Sequence, residues 1–232
     1  MTYLVFDIET RIDKSLVRQV FFRGEELDDE EAYRRMREEL REQDGRDFFP
    51  LSCHLPVSIA LGEVDDQLRL VSLASLAGGE REIVTAFWRR LEALEGTLVS
   101  FNGRGFDLPV LELAALRFDL SLPKYFNEPR RFRARSADAH FDLYDFFSNA
   151  GAYRLRGGFD LLAKLAGLPG KAAMSGGRVQ EEWEAGNLEA VHSYCRDDVL
   201  QTYLLFLRVE LIRGRIDAAQ CAQLRLAAER LR

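Results

Sequence analysis

Apolar and polar positions alternate along YLVFDIET, so Leu4, Phe6 and Ile8 share one side of a strand while Tyr3, Val5, Asp7 and Glu9 share the other. Residues 11–49 are strongly charged and contain EELDDEEAYRRMREELREQDG, an exposed helix with acids in its first turn and Gly45 as its stop. PVSIALGEV and LRLVSL return to strand patterning around a DD turn and predict a meander with the first strand. Helical spacing follows in EIVTAFWRRLEAL, then a short buried strand in TLVSFN, then a helix in FDLPVLELAALRF that leaves the loop GRG. A short strand near Ala139 to Phe141 leads into DLYDFF, and FDLLAKLAGL is a compact helix closed by Gly167 and Pro169. A long helix is expected from about Leu188 to Arg213, with Asn187 as N-cap and Gly214 as stop, before a tail helix in AAQCAQLRLAAERL.

Three strands followed by alternating helices and strands predict an α/β fold, a mixed sheet flanked by helices in a single domain over residues 1–232. The charged helical segment at about 11–49 is then an insertion, and the helix at about 216–232 packs on the body.

Composition narrows the class. At 232 residues, 47% hydrophobic and 30% charged, the chain has the make-up of a globular protein with one sizeable core. No apolar run approaches the roughly 20 residues that span a bilayer, and no secretory signal precedes the first strand. Cys53, Cys195 and Cys221 have no metal-ligand spacing and read as reduced thiols, so a cytoplasmic protein without membrane contact is expected. The net charge of −6 argues against indiscriminate polyanion binding, but positive charge is concentrated in KYFNEPRRFRAR. There Lys124, Arg130, Arg131, Arg133 and Arg135 face Glu128 alone among acids, with Tyr125 and Phe132 interleaved. The cations suit a phosphate backbone and the rings suit bases, although 28 Arg against 4 Lys equally fits a compositional bias.

Two carboxylates side by side at the end of a buried strand repel each other and lose hydration, so Asp7 and Glu9 call for a cation. In VSFNGRGFDLPVLE, Asp107 stands where a helix begins and reads either as a cap or as a further acid. In AVHSYCRDDVLQTYLLFLR, Tyr194 and Asp198 share a helix face. Asp7, Glu9, Asp107 and Asp198 together would form a set of hard oxygen ligands suited to two Mg²⁺ or Mn²⁺ ions. Two such ions about 3.5–4 Å apart can activate a water and stabilise the leaving oxygen of a phosphodiester.

In order and spacing, FDIET, SFNGRGFDLP and YCRDD resemble the three motifs of the DEDD (DnaQ-like) 3′–5′ exonucleases. The closest resemblance is to bacterial stand-alone proteins related to the exonuclease domain of family B DNA polymerases. HFDLYDFF, FDLLAKLAGLPGK and SGGRVQEEWEAGNLEAVHSYC extend it over most of the chain. The resemblance implies an RNase H-like fold and metal ligation by Asp7, Glu9, Asp107 and Asp198. It also implies that Tyr194 orients the attacking water, the tyrosine (DEDDy) form of the third motif. Thr10, Asn102 and Phe106 fall at positions that in relatives hold the terminal nucleotide, and Lys171 lies in the family-like GLPGK. Arg131 and Arg133 are further substrate-binding candidates, and Arg154 and Arg156 could line the same cleft. His192 and Asp197 carry the spacing of the histidine form, but YCxxDV followed by xxT and an apolar run favours Tyr194 with Asp198.

The expected partner is a single-stranded nucleic acid 3′ end, DNA ahead of RNA, with release of nucleoside 5′-monophosphates. RNA trimming by the same site is one alternative, and a non-catalytic nucleic-acid-binding subunit another. With no polymerase domain in the sequence, proofreading would require a polymerase or repair partner in trans.

Overall fold

A computed structural model describes residues 3–128, 132–133, 139–170 and 176–231. One five-stranded sheet organises them: β1 (Tyr3–Ile12), β2 (His54–Val64), β3 (Leu70–Ser75), β4 (Thr97–Ser100) and β5 (His140–Asp142), in the order β3-β2-β1-β4-β5. The first three strands run antiparallel to their neighbours, as the meander predicts, while β4 lies parallel to β1 and β5 parallel to β4. β1 is therefore central, and its two faces meet two separate cores.

Leu4, Phe6 and Ile8 join α3 (Glu80–Glu92) and α4 (Asp107–Arg117) in one core, with Phe87, Trp88 and Leu111 fully covered. Val5 on the opposite face joins α7 (Gly158–Leu165), α9 (Leu188–Ile212) and α10 (Ala218–Ala228) through Phe159, Val199, Tyr203 and Cys221. Each such large side chain contributes about 1.5–3 kcal/mol on burial. Asp7 and Glu9 continue the Val5 face past the point where it is filled.

The charged segment holds two helices rather than one. α1 (Lys14–Phe21) is capped by Asp13, and α2 (Asp29–Asp44) opens with a reciprocal Asp28–Glu31 capping box and ends at Gly45, φ 68°. Val17, Phe22, Tyr33, Met36, Phe49 and Cys53 give the pair an apolar core of their own. β1 also runs two residues beyond the expected end at Thr10. The pairing with β2 shifts register at a bulge between Glu9 and Thr10 and then continues to Ile12, whose N–H donates to Gln180 Oε1 at 2.7 Å.

α5 (Pro123–Asn127), α6 (Leu143–Phe147) and α8 (Gly176–Glu184) complete the helices described. Asn187 precedes α9 but makes no side-chain cap, its amide donating instead to Glu182 at 2.9 Å. Among the described residues, no helix is long and apolar enough to cross a membrane.

Candidate active site

The end of β1 brings Asp7 and Glu9 to the middle of α9. One carboxylate oxygen of each lies within 4.8 Å of an oxygen of Asp198, which is only 1% exposed. Asp7 and Glu9 are half-buried; three carboxylates this close repel when ionised, and their oxygens suit a hard divalent cation. The donor set fits that group.

Asp107 is the first residue of α4, yet it does not cap the helix. Its Oδ1 accepts the Ile8 N–H at 3.2 Å, so the carboxylate is held against β1 between the positions of Asp7 and Glu9. It is buried and stands beside the trio rather than within it.

The loop that delivers Asp107 is fixed from below. Asp142, at the end of β5, accepts the backbone N–H groups of Asn102 (2.8 Å), Arg104 (3.0 Å) and Tyr144 (2.9 Å). Burial nevertheless pushes the Asp142 carboxyl up, with those donors pulling the other way. The Arg104 guanidinium donates to the carbonyls of Phe132 and His140 and pairs with Asp145 at 3.2 Å. Asn102 sits at φ 62°. Gly103 has no alternative, because a Cβ there would lie 2.4 Å from Ser100 Oγ. His140 is bonded to Ser100 Oγ at 2.9 Å, and burial, then the Arg104 charge, lowers its pKa to about 3.

α9 carries the residues of both forms of the third motif. Tyr194 lines the same cleft as Asp7, Glu9 and Asp107, packed among Val57, Val179 and Val191. His192 points to the sheet instead, its Nδ1 at 2.8 Å from Ser58 Oγ, and Asp197 is half-buried outside the acidic trio. Between them the Cys195 thiol donates to the Asp7 carbonyl at 3.3 Å. Its pKa is pushed well up by burial, then by the Asp7 and Glu9 charges.

The cleft encloses about 790 Å³. Thr10, Asn102 and Phe106 all line it. Phe48 and His54 line it too, and the sequence reading singled out neither. Their only sequence signal is the FF pair that closes the charged segment just before β2.

Other candidates fall elsewhere. Arg133 is directed at Glu112 on α4, at 3.1 Å, and is not part of the cleft lining. Tyr125 and Phe132, expected as base-stacking rings, are 1% and 2% exposed and belong to the α3–α4 core, so they are structural. Arg154 and Arg156 are exposed, and the cleft wall near them is formed by Gly157, Phe159 and Asp160. Lys171, Arg130, Arg131 and Arg135 lie outside the described residues.

Comparisons with known proteins place the family. A family model described as "Predicted 3'-5' exonuclease related to the exonuclease domain of PolB" matches residues 46–231, a span that includes Asp107, Tyr194 and Asp198 and begins after Asp7 and Glu9. The chain is 28% identical over 144 residues to a DNA polymerase of Pyrococcus glycovorans, covering 56% of this chain and 18% of the polymerase. A family B DNA polymerase structure from the hyperthermophilic archaeon Pyrobaculum calidifontis superposes with a TM-score of 0.53 at 17% identity, over 90% of this chain and 24% of that one. The second likeness is one of fold. The chain thus spans less than a quarter of either polymerase.

Proposed function

Because the chain belongs to the family of predicted 3′–5′ exonucleases related to the exonuclease domain of PolB, we propose that it hydrolyses the terminal phosphodiester at single-stranded DNA 3′ ends and releases nucleoside 5′-monophosphates. The observation that carries this reading is the meeting of Asp7, Glu9 and Asp198 within 4.8 Å, where Asp7 and Glu9 line a cleft together with Asp107 and Tyr194.

Asp7, Glu9 and Asp198 would hold divalent cations, Mg²⁺ or Mn²⁺, with Asp107 beside them. Such ions, when bound, supply an activated water and charge stabilisation at the reacting phosphate. The chain's own groups do the rest. Tyr194, held rigid by Val57, Val179 and Val191, presents its phenol to the cleft and orients the attacking water. Thr10, Asn102 and Phe106 hold the terminal nucleotide, and the Asp142–Arg104 network keeps Asn102 and Asp107 from shifting. The three buried free cysteines suit a reducing compartment, and we take the cytoplasm as the place of action.

The test is an assay with Mn²⁺ on 5′-labelled single-stranded DNA and RNA of matched sequence, run beside Asp7→Ala. Loss of one ligand is expected to cost about 4 kcal/mol of transition-state stabilisation, roughly a thousand-fold in kcat. Wild-type rates in Asp7→Ala would rule the site out, and faster turnover of the RNA would transfer the activity to RNA trimming.

A further inference from the structure

The residues that follow α2, Gly45–Phe49, form one wall of the cleft. Two adjacent phenylalanines there face opposite ways. Phe49 is 3% exposed and stacks on Tyr33 inside the α1–α2 core, at 5.2 Å between ring centroids. Phe48 is 58% exposed and turns toward the cleft.

Its inner side is occupied. The rings of Phe48, His54 and Phe106 close a triangle with centroid separations of 5.5, 5.8 and 5.2 Å, the last pair edge to face at 89°. His54 is locked in place, with Nδ1 at 2.8 Å from Thr10 Oγ1 and Nε2 at 3.3 Å from the Phe49 carbonyl. Burial also keeps its imidazole neutral at pH 7. The triangle is therefore a rigid, uncharged aromatic surface that opens on the cleft lined by Asp7 and Glu9. Arg46, exposed on the same wall, makes no ion pair with the described residues.

We propose that Phe48, backed by His54 and Phe106, is a stacking shelf for an unpaired nucleobase at the 3′ end, with Arg46 meeting the adjoining phosphate. Phe48, His54 and Arg46 lie outside the three acidic motifs, so the charged segment supplies substrate selection that the catalytic carboxylates do not. Every base has a π face, so the shelf tolerates any sequence. A base still stacked and paired in a duplex cannot offer that face, so the shelf favours single-stranded ends. This inference rests on the nucleic-acid reading proposed above.

The experiment measures binding rather than turnover, in an Asp7→Ala background so that the probe is not consumed. Two fluorescent single-stranded oligonucleotides are compared by anisotropy, one intact and one with an abasic 3′-terminal residue. The intact end is expected to bind about ten-fold tighter. Adding Phe48→Ala should erase that preference, and Phe48→Tyr should keep it. A preference that survives Phe48→Ala, or no binding of either oligonucleotide, overturns the shelf. The two proposals fail separately: base-dependent binding by a wild-type chain that hydrolyses nothing removes the exonuclease activity alone, whereas hydrolysis with a Phe48-independent preference removes the shelf alone.

Discussion

Tyr194 and Asp198 lie one turn apart on α9, and both turn toward the end of β1. His192 sits round the same helix with its ring committed to Ser58. Tyr194→Phe removes only a hydroxyl from the cleft and is expected to lower kcat by about ten-fold or more, because it strips an orienting group from the nucleophile. His192→Ala should leave kcat within a few-fold. The reverse ranking would return the histidine form of the motif. The acidic trio makes a second prediction, read by heat rather than turnover. In EDTA, Asp198→Asn relieves like-charge repulsion and should melt a few degrees higher than wild type. With Mn²⁺ at 100 times its Kd, wild type should gain about 2.7 kcal/mol, or about 5–10 °C, and the variant little. Strand alternation made Asp7 and Glu9 legible in the sequence. Asp107 was ambiguous there, because a carboxylate at a helix start is ordinarily a cap and only the fold shows it bonded to Ile8. Phe48 and His54 were illegible because their role depends on a ring triangle closed across three chain segments.

Among the elements, the β4–α4 loop is the one on which site geometry depends most. Gly103→Ala would drive a methyl group to 2.4 Å from Ser100 Oγ, beside the Ser100–His140 bond. Its expected cost is about 1–3 kcal/mol, with a thermal midpoint lower by about 2–10 °C and a fall in kcat as Asn102 and Asp107 move. An unchanged midpoint and rate would show that the loop is not held as tightly as its hydrogen bonds imply. Periodicity located the five strands and the long helices to within a few residues. It missed α1, whose eight residues bury Val17 alone, and α8, which opens on Gly176 and Gly177 and owes its position to Gln180 reaching Ile12. Short helices of this kind are stabilised by what they touch more than by their own sequence.

For the molecule as a whole, buried His140 and half-buried His54 make stability sensitive to acid. Burial, opposed in part by the Phe49 carbonyl, lowers His54 to about 4; burial and then the Arg104 charge lower His140 to about 3. Both lie below the ordinary value near 6.5, so the unfolded chain takes up protons first. The stability they protect is complete above about pH 6.5 and drains as pH falls through 4 and then 3, by at most about 1.4 kcal/mol per pH unit for each ring. Urea midpoints between pH 7.5 and 5 should therefore fall, with a shallower slope in His140→Gln. A flat wild-type profile would mean that the rings are protonated in the fold. The β1–β2–β3 meander and the mixed character of the sheet could be read from the order of patterned segments. The parallel placement of β4 beside β1 and of β5 beside β4 depends on helices crossing the faces, which the pattern only implied.

β1 and α9 lie far apart in sequence, yet Asp7, Glu9 and Asp198 share one small volume. During synthesis the first two acids emerge long before their partner exists, and no early fragment can assemble the cage. On the reading proposed above, a chain in which α9 has not docked across the sheet lacks one wall of the cage and cannot hold the cations, so folding itself switches the chemistry on.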